Sequence, residues 1–211
     1  MKWENFLRLV SKEPVFKSSV LKAGDVSTAR LQQQLVRWVN AGRVIQLRRG
    51  LYALAEPYRN VEPHPFLVAN RLKKASYVSL QSALHHHGLI PEYVPVVTGV
   101  STGRPGLVRT ELGAFLFKHV KKTLFNGFRE IEVAADQYAF VATPEKALLD
   151  LIYLTPQADG IEYLRELRLQ NPDALDASAL LESAVKSGSP KLLRAARRIL
   201  RLLKGQKLED L

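Results

Sequence analysis

Apolar positions recur with a helical period at the start of the chain. Trp3, Phe6, Leu7, Leu9 and Val10 mark a helix over residues 3–12, and Pro14 stops it. A second short helix is predicted over Lys17 to Lys22, ending at Ala23-Gly24-Asp25. Ser27 suits the N-cap of a third helix, Thr28 to Ala41, with Gly42 as its stop. The period then changes. Val44–Leu47 and Leu51–Leu54 are strand-like runs joined by Arg48-Arg49-Gly50, a short turn containing glycine. Three helices closed by a basic hairpin is the order of a winged helix-turn-helix.

Three prolines (Pro57, Pro63 and Pro65) and few aliphatics then mark a linker. Beyond it, helical patterns cover Phe66–Lys74 and Leu80–His87. Strand-like stretches follow at Val94–Val100, Ala114–His119, Glu130–Val133 and Ala139–Ala142. Thr143-Pro144 reads as a cap with proline at the first helical position, opening Glu145–Tyr153. The remainder is helical, over 161–169, 177–186 and 191–204. The expected class is α+β. A winged helix-turn-helix over residues 1–58 and a linker over 59–64 precede a larger α/β domain with a helical C-terminal part, over 65–211, and residues 65–211 are expected to fold alone.

Composition changes this picture in one respect. Of 211 residues, 31 are Lys or Arg and 20 are Asp or Glu, a net charge of +11. Residues 1–58 carry ten basic and four acidic side chains, the highest basic excess per residue. That is the footprint of a polyanion binder. There is no cysteine, which excludes disulfides, thiolate metal sites and cysteine catalysis. The start lacks a signal-like apolar run and no segment is long enough for a membrane span, so a cytoplasmic protein is expected.

On a helical wheel Leu35, Trp38 and Val39 fall within ~80° of Leu31 and form with it the apolar stripe of the third helix. Arg30, Gln33 and Arg37, at i, i+3 and i+7, form a ridge on the other side. Arginine and glutamine can bond base edges in pairs, so this ridge is the candidate reader of the major groove. Ser27, Thr28 and Ala29 are small enough for the helix N-terminus to approach a phosphate. Arg48 and Arg49 crowd like charge at the apex of an apolar ribbon, which suits a phosphate backbone or minor groove better than it suits stability. Lys17 is a further candidate for holding a phosphate. Val36 falls on the exposed side, for which the pattern gives no reason.

The run from Arg30 to Leu54 resembles the N-terminal winged helix of the AbiEi family, antitoxins and autorepressors of type IV toxin–antitoxin, phage-abortive systems. Ser79-Leu80-Gln81-Ser82-Ala83-Leu84-His85-His86-His87-Gly88-Leu89-Ile90 resembles that family's helix ending in His-Gly-Leu. Ala142-Thr143-Pro144-Glu145-Lys146-Ala147-Leu148-Leu149-Asp150-Leu151 resembles its Pro-Glu-Lys helix opening. The likeness runs from about residue 3 to residue 170. It implies promoter binding at inverted repeats by the N-terminal domain. It also implies an antitoxin activity in the C-terminal domain against a nucleotidyltransferase encoded alongside.

The other constellations are weaker. Consecutive helical histidines at 85, 86 and 87 point ~100° apart and cannot close on one ion, so no metal is expected. Glu145 suits a helix start, and Lys146 with Asp150 is an i, i+4 pair rather than an acidic catalytic set. No catalytic site and no cofactor are expected. The alternatives are a winged-helix regulator without a toxin, or a nuclease-related enzyme that docks on DNA. The tail from residue 183 to 208 has no acidic side chain. It reads as a basic amphipathic helix whose Arg194, Arg197, Arg198 and Arg201 are candidates for a second nucleic-acid contact.

Overall fold

Successive residues of a strand face opposite sides of a sheet, and in residues 51–54 both sides are apolar. The computed structural model describes residues 1–22 and 28–209, with side chains described as far as Leu203. It begins with α1 (Trp3–Val10), β1 (Phe16–Lys17) and a 3-10 turn at Ser18–Lys22, followed by α2 (Thr28–Asn40), β2 (Val44–Arg48) and β3 (Leu51–Leu54). The short helix expected over 17–22 is thus a two-residue strand followed by a 3-10 turn. Phe16 pairs with Tyr52 and Lys17 with Leu51, which makes β1 the outer strand of an antiparallel sheet ordered β1-β3-β2.

One face of this sheet packs under α1 and α2. Tyr52, Leu54, Val44 and Phe16 share a cluster with Phe6, Val10, Leu31 and Leu35. Trp3, Phe6 and Trp38 pack together there in tilted and edge-on contacts, the Phe6 and Trp38 ring centres 4.4 Å apart. The opposite face is covered too. Val15, Ile45, Leu47, Leu51 and Ala53 belong to the large apolar cluster that holds Val68, Ala69 and Leu72 of α3 (Pro65–Leu72). The proline-rich stretch between the two is fastened: Gln137, itself buried, accepts from the His64 amide and donates to the Glu62 carbonyl, each at 2.8 Å. Arg59 pairs there with both Glu56 and Glu62. Residues 65–211 thus supply one wall of the small sheet's core. The expected independent folding meets a packed apolar join.

The second sheet has six strands in the order β6-β7-β5-β4-β9-β8. These are β4 (Ser76–Val78), β5 (Val96–Ser101), β6 (Gly106–Thr110), β7 (Gly113–His119), β8 (Phe128–Ala134) and β9 (Gln137–Ala142). Two parallel pairings, β5 with β7 and β4 with β9, make it mixed. Between β4 and β5 lies α4 (Leu80–His86). After β9 come α5 (Pro144–Leu154), α6 (Ile161–Glu166), α7 (Ala177–Lys186) and α8 (Pro190–Glu209). The class is mixed α+β.

The opening of α5 follows from local chemistry. Pro144 sits in the first turn, and the Thr143 hydroxyl accepts from the Lys146 amide. One turn on, Lys146 and Asp150 form a buried pair at 2.6 Å. The other Asp150 oxygen accepts from the Tyr77 and Ser79 hydroxyls, each at 2.8 Å, and the Lys146 ammonium also donates to the Leu124 carbonyl. The network ties α5 to β4 and to the β7–β8 connection. Burial pushes the Asp150 carboxyl up against the pull of these donors, and drives the Tyr77 phenol up as well. Glu145, also buried, accepts from the Asp176 amide at the cap of α7.

Removing one partner of a buried pair leaves an uncompensated charge. Lys146→Met is therefore expected to cost about 3–5 kcal/mol in denaturant unfolding. The double variant Lys146→Met, Asp150→Leu should cost less than the sum of the single changes. Strict additivity would show that the pair is not coupled.

Candidate nucleic-acid interface

The length of α2 and the register of the hairpin decide where the candidate side chains point. Leu31 and Leu35 are buried and Trp38 and Val39 half-buried, as the apolar stripe requires. Thr28, Arg30, Gln33 and Arg37 are all exposed, and the last three share one ridge. Gln34 lies between stripe and ridge and has a different task. Its side chain accepts from the chain's amino group at 3.0 Å and donates to the Met1 carbonyl at 2.8 Å, which anchors α2 to the start of α1. Ser27 lies outside the described residues. Val36 stays 54% exposed, and nothing in the structure explains it.

The hairpin turns at Arg49-Gly50, where Gly50 takes a φ of +78° that a β-carbon would strain. The register shifts between Gln46 and Arg48, so Arg48 stands opposite Leu51. Arg48 and Arg49 are both exposed, and so is Lys17 on the neighbouring strand. Arg48 reaches sideways, its Nη2 donating to the Arg71 carbonyl at 3.2 Å. Gln46, exposed on β2, has no place in the sequence expectation; a polar residue alternating with Ile45 and Leu47 is its only signal. Lys17, Arg37, Arg48 and Arg49 pair with no carboxylate among the described residues.

The second basic group divides. Arg194 donates from Nε and Nη2 to one carboxylate oxygen of Asp159, at 3.0 and 2.9 Å, and Arg198 donates to the Asp159 carbonyl. Burial works against ionisation of Asp159, but the Arg194 hydrogen bonds and charge outweigh it and hold the carboxyl below its ordinary value. These two arginines fasten α8 to the α5–α6 connection. Arg197 and Arg201 remain exposed. The apolar side of α8, including Leu192, Ala196, Ile199 and Leu203, lies in the main core.

Among the described residues no group of three or more His, Asp or Glu side chains is placed to hold a metal ion. His85 and His86 are exposed on α4, while His87 turns inward to the Ala142 carbonyl at 2.8 Å. His64 caps α3, its Nδ1 accepting from the Phe66 amide at 3.1 Å. Also among the described residues, no helix is long and apolar enough to cross a membrane.

No protein-family model matches the chain, and no curated protein matches it in sequence. Its architecture is similar to the crystal structure of the RV2827C protein from Mycobacterium tuberculosis. The TM-score is 0.56 at 15% identity, over 93% of this chain and 75% of that one. At that identity the likeness is one of fold.

Partial burial lowers the pKa of His64; for His86, exposed at its outer edge, the partly covered side of the ring and then the neighbouring His87, His64 and His85 do the same. The fold therefore prefers both rings neutral. Their contribution to stability is complete above the unfolded value of 6.5 and is lost as pH falls below it. Unfolding measured from about pH 7 down to about pH 5 should show falling stability. His64→Asn, which keeps a capping acceptor, combined with His86→Asn should flatten that slope. An unchanged slope in the double variant would place the acid sensitivity elsewhere.

Proposed function

We propose that the chain is a DNA-binding antitoxin that represses its own operon and counteracts a nucleotidyltransferase toxin. The observation that carries the DNA-binding half is the pairing of two features on one small sheet. A helix presents Arg30, Gln33 and Arg37 outward, and a hairpin beside it presents Arg48 and Arg49. Two helices and a basic hairpin support the winged-helix reading, with a two-residue strand and a 3-10 turn standing where its middle helix is expected. In this reading α2 enters the major groove of promoter DNA at inverted repeats. Arg30 and Arg37 bond guanine edges, Gln33 bonds adenine, and Thr28 brings the helix start to a phosphate. Arg48, Arg49 and Lys17 hold the backbone, and Arg49 can enter the minor groove.

The antitoxin half rests on the resemblance to the AbiEi family in three segments taken in order. Two of them have structural roles in this chain. The Pro-Glu-Lys opening supplies the cap and the buried Lys146–Asp150 pair. The helix ending in His-Gly-Leu supplies Ser79, Ser82 and the His87 contact to Ala142. The neutralising activity is assigned to residues 65–211 and the repressor activity to residues 1–58, in a cytoplasmic protein acting in phage defence.

Binding to the protein's own promoter should depend on salt. With ~4–6 phosphate contacts per protomer, log K should fall against log salt with a slope of roughly −4 to −5. Arg49→Ala should weaken all duplexes alike and flatten the slope by ~0.9. Arg30→Ala should instead relax base preference at a loss of ~1–3 kcal/mol. Exchange of these two phenotypes would show the roles to be reversed.

The two halves of the function are separated in the full chain. Arg30→Ala, Gln33→Ala, Arg37→Ala should lose promoter repression and still protect cells co-expressing the nucleotidyltransferase encoded alongside. Loss of protection in that variant would overturn the division of labour.

A further inference from the structure

The contact between Arg48 and the Arg71 carbonyl brings a second set of cations up to the hairpin. Arg71 is the exposed penultimate residue of α3. The chain then turns through Lys73, Lys74 and Ala75, whose φ of +49° reverses its direction into β4. The Lys73 ammonium crosses this turn and donates to the Arg104 carbonyl at 2.7 Å, in the connection between β5 and β6. Lys17 and Arg71 also line one hollow of about 200 Å³ beneath the hairpin. The exposed cations Lys17, Arg48, Arg71, Lys74 and Arg104 therefore follow one another from the small sheet onto the rim of the large one.

The composition of this strip is one-sided. Residues 71–75 and 102–106 contain no Asp or Glu. None of Arg71, Lys73, Lys74 and Arg104 pairs with a carboxylate of a described residue. Two carboxylates stand nearby. Glu13 shares the hollow with Lys17, and Glu130 lines a second hollow together with Arg71, Phe128 and Phe140. Neither closes an ion pair on the strip. A basic surface kept for solubility alone gains from interspersed charges of both signs. Crowding like charges in a line raises the local potential, which a polyanion offsets.

We propose that this strip continues the nucleic-acid surface beyond the small sheet and holds the phosphate backbone of duplex DNA flanking the segment read by α2. The inference rests on the DNA-binding reading of α2 and the hairpin and extends its footprint to residues 71–74 and 104. The strip is defined by its cations, which meet phosphate oxygens. Its contribution is electrostatic, and it carries no sequence preference.

The test uses the full chain and a duplex of about 30 base pairs, roughly three helical turns, from the DNA upstream of its own gene. The variant is Arg71→Gln, Lys74→Gln, Arg104→Gln, all at exposed positions, with an unchanged melting temperature as the check on folding. Fluorescence anisotropy over a salt series should show the slope of log K against log salt shallower by ~2–3, at ~0.9 per lost contact. The loss should be the same on a random duplex of equal length, with the preference for the upstream sequence unchanged. Trimming the flanks should cost the parent protein the same slope and the triple variant nothing. A triple variant with the parental slope overturns the strip while leaving the α2 reading intact. If the parent protein binds no duplex, or Arg30→Ala binds as the parent does, the α2 reading itself falls and the strip falls with it.

Discussion

The three-stranded sheet is covered on both faces, and the placement of the hairpin arginines depends on that. Leu51 and Ala53 face one apolar cluster while Tyr52 and Leu54 face another. A slip of one residue would exchange these two sets and leave neither core filled. The register is fixed accordingly, and with it the position of Arg48 and Arg49 at the turn. The same double burial fixes the hairpin relative to the six-stranded sheet, because Ile45, Leu47 and Leu51 are part of the core that contains α3. Each such side chain contributes about 1.5–3 kcal/mol by leaving water. The join is therefore far stronger than the proline-rich connection by itself.

Charge is used in two opposite ways on this frame. Inside, Lys146 and Asp150 are sealed with every partner satisfied. No buried side-chain polar atom among the described residues lacks a hydrogen bond. That arrangement specifies how α5 sits on β4, since a half-satisfied network would cost more than an apolar core. Outside, exposed cations such as Lys17, Arg37 and Arg48 pair with no carboxylate of a described residue. Arg194 and Arg198 show the contrast within one helix: both are held by Asp159, while Arg197 and Arg201 on the same helix stay exposed.

Much of this was legible in the sequence, and the exceptions have physical causes. The apolar stripe of α2, the hairpin and the capped start of α5 follow from local periodicity and cap chemistry. Two strands do not. β4 has three residues, too few for alternation to register, and its Ser76 is buried through its hydrogen bond to the Lys73 carbonyl. β6 is an exposed edge that begins just after Pro105, so its residues lack a continuous buried face. Over 17–22, where a short helix is expected, the chain forms the end of β1 and a 3-10 turn. There β1 is held by pairing with β3, a partner more than thirty residues away that no local window contains. The candidate site divides in the same way. Exposure of Arg30, Gln33 and Arg37 follows from a wheel, whereas the approach of Arg71 to Arg48 is a tertiary contact between distant segments.

That tertiary contact bears on how the two proposed activities are related. A flexible tether would let residues 1–58 bind DNA without consequence for the rest of the chain. A shared core removes that independence. Stabilisation by a ligand that binds only the folded state reaches everything that unfolds with its site, and amounts to about 2.7 kcal/mol at a hundredfold excess over Kd. Here the site's hairpin and α3 lie in one apolar cluster. Promoter DNA on α2 and the hairpin would then stabilise the wall of the C-terminal unit that packs against them. The proline-rich stretch, pinned by Gln137 and Arg59, is part of that wall.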